Sequence, residues 1–245
     1  ASAATINSYV TTADNVGAAS LAYSMAYAAN DNYDTNKIKD EWRLHNENGS
    51  YWDRKLGVQW WVQTPKGVDK SKSHQFMMNV NNEDWRTYIT GQYKTQKTEF
   101  KFDGTHIDTL GQTSKKDASG NPVDLTDGLA ALVDDTYKNV GGQVGINLPD
   151  GAGNDKLISG SSTYLYTDLW DNNETNAQVA SYLQGVRSSG AKQPLIVAAY
   201  ANDYDPTTLY WDAAANEYKH PEIAADNGVR IEAEADQSSV SGDVT

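Results

Sequence analysis

The chain has 245 residues, a length that suits one or two domains, and sets 20 Lys plus Arg against 33 Asp plus Glu for a formal charge of −13. That acidic surplus excludes a phosphate-neutralising nucleic-acid groove and a polybasic membrane patch, and the longest weakly polar stretch, Ala18 to Ala29, is too short to span a bilayer. The absence of Cys removes disulfide scaffolds, thiolate zinc sites and cysteine nucleophiles. From the amino end, Ile6, Tyr9, Val10 and Ala13 are spaced for one face of a helix. Leu21 to Tyr27 reads as a strand. A polar insertion from Asn30 to Gly57, carrying Trp42 and Trp52, comes before a helix over Glu83 to Gln96 with Trp85, Tyr88, Ile89 and Tyr93. Phe100 to Asp108 reads as the next strand, and a second polar insertion, Gln112 to Pro122, leads into a helix over Leu125 to Val140. Two more strands follow, Gln143 to Leu148 and Thr163 to Trp170. A helix over Gln178 to Arg187 and an apolar strand, Leu195 to Tyr200, complete the pattern, which Asn202, Asp203 and Pro206 interrupt.

Strand–helix alternation of this kind predicts an α/β fold with parallel strands and right-handed crossovers, either doubly wound or a (β/α)8 barrel. Both polar insertions follow predicted strands, so in a barrel they sit on the carboxyl-end face where active sites are built. No strand leads into a Gly-x-Gly-x-x-Gly turn, no Walker loop is present, and His45, His74, His106 and His220 lack metal-ligand spacing, so no cofactor and no metal are expected. The loop Asp171-Asn172-Asn173-Glu174 is acidic but lacks the twelve-residue calcium pattern. Fifteen Tyr and seven Trp against three Phe favour flat rings with a polar edge, which suits sugars and also protein surfaces.

Two segments carry the chemistry. In Phe102-Asp103-Gly104-Thr105-His106-Ile107-Asp108, a period of two places Phe102, Gly104, His106 and Asp108 on one face, with Asp108 at the strand's carboxyl end. A carboxylate there points into a barrel mouth or caps the following helix. In Tyr164-Leu165-Tyr166-Thr167-Asp168-Leu169-Trp170, Tyr166, Asp168 and Trp170 share a face, so a second acid is flanked by rings, or simply opens the Asp171 turn. Two carboxylates from separate strands beside aromatic rings are the minimum for glycoside hydrolysis. Packing Asp168 against two rings, with an ionised Asp108 nearby, would raise its pKa, as a general acid requires.

At these segments the chain resembles glycoside hydrolase family 66, the dextranases and cycloisomaltooligosaccharide glucanotransferases. The family's F-D-G-x-H-x-D-x-L-G pattern is matched from Phe102 to Gly111, and M-N-P-x-N-x-x-W-x-x-Y-I is similar to Met78 to Ile89, with Val80 in place of Pro. The A-Y-x-M-x-Y-A-A type resembles Ala22 to Ala29, Y-x-E-x-W resembles Tyr166 to Trp170, and V-x-A-A-Y-x-N resembles Ile196 to Asn202. The resemblance implies a (β/α)8 barrel of which this chain covers the third to seventh strand units, and it places the nucleophile of a retaining mechanism on Asp108. The family's acid/base Glu falls on Asp168, one methylene shorter; Glu174 is an alternative donor from the adjoining loop. His106, Asn147, Trp170, Tyr27 and Tyr200 are the expected sugar contacts.

The reading is then a secreted bacterial enzyme that cleaves or cyclises α-1,6-glucan, with the glucan as its partner, no nucleic acid and no membrane. A catalytically weak or inactive glucan-binding relative is the alternative, and inverting chemistry on an unrelated barrel is a third. Residues 1–225 are expected to form part of the catalytic barrel, contiguous with further strands in a longer parent protein. Residues 226–245 are read as the start of an inserted carbohydrate-binding module, because Val229 to Ala235 resembles the first strand of a family 35 module, or as an ordinary edge strand.

Overall fold

The structure is a computed structural model that describes residues 3–26, 28–30, 38–44, 53–55, 62–64, 67–69, 74–108, 115–116, 119–148, 155–167, 176–200, 210–212, 217–219 and 229–234. Its principal elements are α1 (Ala3–Val16), β1 (Leu21–Met25), α2 (Glu83–Phe100), β2 (Gly104–Asp108), α3 (Thr126–Asn139), β3 (Gln143–Asn147), α4 (Asp155–Ile158), β4 (Tyr164–Thr167), α5 (Asn176–Ser188), β5 (Leu195–Tyr200) and β6 (Val229–Glu234). The six strands pair side by side in chain order, each parallel to the next. A doubly wound sheet reverses its strand order partway, whereas unbroken order is how a (β/α)8 barrel winds. The choice the sequence left open is thereby made for the barrel.

β6 is one strand more than the five predicted units, and its six residues pair with β5 from Leu195–Val229 to Tyr200–Glu234. Beyond it, Glu217–Lys219 and Tyr210–Asp212 continue the sheet antiparallel. Short antiparallel pieces lie in and around the two polar insertions: Ala28–Asn30 and Asp53–Lys55 flank His74–Met77, and Lys115–Lys116 pairs with Pro122–Val123. Pieces of two to four residues are too short for an alternation to register, which is why Asp53–Lys55 and Lys115–Lys116 were hidden within the insertions.

Helices cover the outer sheet face. α2 starts on Asn82, whose side chain accepts from the Trp85 N–H at 3.1 Å, with Glu83 and Asp84 placed favourably for the helix dipole. The helix runs four residues further than predicted and stops at Lys101, whose φ of 60° lies in the left-handed region, so β2 begins at Gly104 rather than Phe100. α2 and α3 bury Trp85, Ile89, Tyr93, Leu129, Leu132 and Val133 against Ile107, Val144 and Ile146 of the sheet. Arg86, reaching from α2 to α3, pairs its Nε with Asp135 at 3.1 Å and donates to the Val80 and Asn81 carbonyls. At the entry to α3, Asp124 accepts from the Thr126 N–H, and that hydrogen bond holds its carboxyl below the usual value.

The strand starts are locked in register. Asp103 Oδ2 accepts from the Ser20 N–H at 2.7 Å and the Ser20 hydroxyl at 3.2 Å, while its own N–H donates to Ser20 O and its carbonyl accepts from Gln143 N. One residue therefore ties the starts of β1, β2 and β3 together. Gly104 follows because a Cβ there would lie 2.0 Å from the Gln143 carbonyl oxygen. Among the described residues no helix is long and apolar enough to cross a membrane.

Candidate active site

On the inner sheet face the register sets Tyr23 beside His106 and Met25 beside Asp108, with Gly145 on the other side of His106 and Tyr164 beyond it. At the strand ends, one layer above, the Asp108 carboxylate accepts hydrogen bonds from side chains of both neighbouring strands. The Tyr23 hydroxyl donates to Oδ2, and Asn147 Nδ2 donates to Oδ1 at 2.9 Å. Asn147 is buried, so its donor is held in place by the packing around it. The Asp108 backbone is fixed as well, its carbonyl accepting from the Ala26 N–H at 2.9 Å.

Beneath the carboxylate, His106 is boxed in by three rings. Tyr23 and Tyr164 stack on either side with centroids 6.1 and 6.0 Å away, and Tyr166 meets it edge-on at 4.8 Å. His106 Nδ1 and the Tyr164 hydroxyl are 2.8 Å apart and share a hydrogen bond. Tyr164 and Tyr166 form an inner apolar cluster with Leu21 and Ile196, separate from the core under the helices. This cluster forms a floor of rings on the inner sheet face.

Gly145 makes the floor possible. A Cβ on it would fall 1.8 to 2.3 Å from three atoms of the Tyr164 phenol, so the ring lies where any other residue's side chain begins. Gly145→Ala is expected to expel the ring, break its hydrogen bond to His106 and cost about 1–3 kcal/mol of stability, read by urea unfolding. A variant as stable as the parent would show that the ring is not confined there.

Of the residues expected from sequence, the structure brings Asp108, His106 and Asn147 together. Tyr200 ends β5 by its backbone, and Asp168, Trp170 and Tyr27 lie outside the described residues. Sequence reasoning missed Tyr23, Tyr164 and Gly145. The signal for both tyrosines was present in the period of two, which sets Tyr23 on the face of Tyr27 and Tyr164 on the face of Tyr166 and Asp168. Among the described residues no group of three His, Asp or Glu side chains is placed to hold a metal ion.

A carboxylate gripped by polar side chains at the strand ends of a (β/α)8 sheet, above a floor of stacked rings, is the architecture of the barrel glycosidases. The chain belongs to glycosyl hydrolase family 66, whose family model matches residues 1–237. Two cycloisomaltooligosaccharide glucanotransferases of Niallia circulans are similar to it, one 25% identical over 221 residues and one 28% identical over 210. Those alignments cover 85% and 81% of this chain but 22% and 21% of the relatives, so the chain spans about a fifth of their length. Among solved structures, the cycloisomaltooligosaccharide glucanotransferase of Paenibacillus sp., complexed with cycloisomaltoheptaose, superposes with a TM-score of 0.67 over 81% of this chain and 29% of its own, at 21% identity. A maltogenic α-amylase of Thermotoga neapolitana gives a TM-score of 0.50 at 13% identity over 94% of this chain and 49% of its own. Both structural likenesses concern the fold.

Proposed function

We propose that this segment is the catalytic part of an enzyme that cleaves α-1,6-glucan by retaining double displacement, passing the glycosyl group to water or to a sugar hydroxyl. The observation that carries this reading is the Asp108 carboxylate, held by Tyr23 and Asn147 at the strand ends over a floor of aromatic rings. Family membership and the glucanotransferases among the relatives support the substrate class. In the first step an Asp108 oxygen bonds to the anomeric carbon as the glycosidic bond breaks, and Asp168 gives its proton to the departing oxygen. In the second, Asp168 takes a proton from water or an acceptor hydroxyl, whose oxygen displaces Asp108. His106, Asn147, Trp170, Tyr27 and Tyr200 are assigned to contacts with the sugar.

The anomeric configuration of the first product tests this directly. Full-length enzyme incubated with dextran and followed by proton NMR is expected to release α-configured ends, or rings with α linkages. Initial release of β-configured ends would overturn double displacement.

A further inference from the structure

We propose that Tyr23 is a catalytic residue of the second half-reaction, its hydroxyl donating to the Asp108 carboxylate as that group departs from the glycosyl–enzyme ester. The inference rests on the double-displacement reading and goes beyond it, because the two half-reactions make opposite demands on any donor to Asp108. In free enzyme the Tyr23 hydroxyl already donates to Oδ2, stabilising a full negative charge. As the first bond forms, that charge drains into the new ester and the hydrogen bond weakens. A donor that binds the ground state better than the transition state does not accelerate that step. In the second step the new nucleophile's oxygen bonds to the anomeric carbon, the bond from that carbon to the Asp108 oxygen breaks, and its electron pair returns to the carboxylate. The acid/base group takes the proton. Charge now grows on Asp108, and the Tyr23 hydrogen bond strengthens on the way to the transition state.

Two features suit Tyr23 to this role. A phenol O–H is a stronger donor than the amide N–H of Asn147, which serves the other oxygen. The ring also stacks on His106 with centroids 6.1 Å apart, a contact that does not involve the hydroxyl. Tyr23→Phe therefore removes the donor and leaves the stack in place.

The experiment uses full-length enzyme and a 4-nitrophenyl α-isomaltooligosaccharide, with rapid quenching. Tyr23→Phe is expected to lower kcat by about 10- to 100-fold, the scale of a hydrogen bond to a charged group, while kcat/KM changes less than about threefold. Nitrophenol should then appear as a burst approaching one equivalent, and the Asp108 peptide should carry a glycosyl group by mass spectrometry. Equal losses in kcat and kcat/KM with no burst would overturn the proposal, as would unchanged kinetics. A Tyr23→Phe enzyme whose thermal unfolding is shifted is replaced in the test by Tyr23→3-fluorotyrosine, which alters the donor's acidity and is expected to change kcat without changing kcat/KM; no such split would also overturn the proposal. Inverted products from the unsubstituted enzyme would remove the double-displacement reading itself, an outcome the kinetic split does not mimic.

Discussion

Asp108→Asn should abolish turnover of dextran by the full-length enzyme, with a loss on the order of 10⁴-fold or more, the scale seen when a covalent nucleophile is removed. The substitution is nearly isosteric. Its amide oxygen still accepts from Asn147 and its amide nitrogen can donate to the Tyr23 oxygen, so the contacts with Tyr23 and Asn147 persist with their polarity adjusted. The backbone contact from Ala26 is untouched. Thermal unfolding should stay within a few degrees of the parent while reducing-sugar release vanishes. Undiminished release would take Asp108 out of the nucleophile role, and a collapse of unfolding temperature would mark it as structural.

Trp85→Ala should be among the most destabilising single changes available to α2, at about 3–5 kcal/mol. The indole is fully buried, packed against Trp42 and Tyr88 at centroid distances of 6.0 and 5.7 Å. Its Nε1 donates to the Ala26 carbonyl at 3.3 Å, and the Ala26 N–H in turn donates to the Asp108 carbonyl. The helix thus reaches the end of β1, and through it the end of β2, by two consecutive hydrogen bonds. Trp85→Phe separates the two contributions: most of the apolar volume stays, and the buried Ala26 carbonyl loses its donor at a cost of about 1–3 kcal/mol. Measured well below the unfolding temperature, the Phe variant should turn over more slowly than its stability implies, because the peptide next to Asp108 is less constrained. Parent-like turnover would mean that the contact stabilises the barrel without orienting the carboxylate.

The alternation of elements was legible because α2, α3 and the apolar strands are long enough for their periods to register. His106 and Asp108 were legible for the same reason, two residues apart on one strand. Which tyrosine would meet Asp108 was not. Tyr23 and Tyr27 have the same parity, and only the register of β1 on β2 separates them. That register is set by contacts between Ser20 and Asp103, 83 residues apart, and a period within one strand carries no trace of it. Gly145 was hidden more deeply: its importance lies in the volume of a ring from the neighbouring strand. The sixth parallel strand was visible as an alternation, but its hydrogen bonding to β5 depends on a crossover of 28 residues that no local pattern spans.

The shared volume of Gly145 and Tyr164 couples the two positions energetically. A methyl group at 145 is tolerable only beside a smaller residue at 164, and shrinking 164 first leaves a void under His106. Each change alone is expected to cost stability, and the double substitution is expected to cost less than the sum of the two. Libraries that randomise inner-face residues one at a time are expected to undervalue both sites, which a combinatorial pair would sample together.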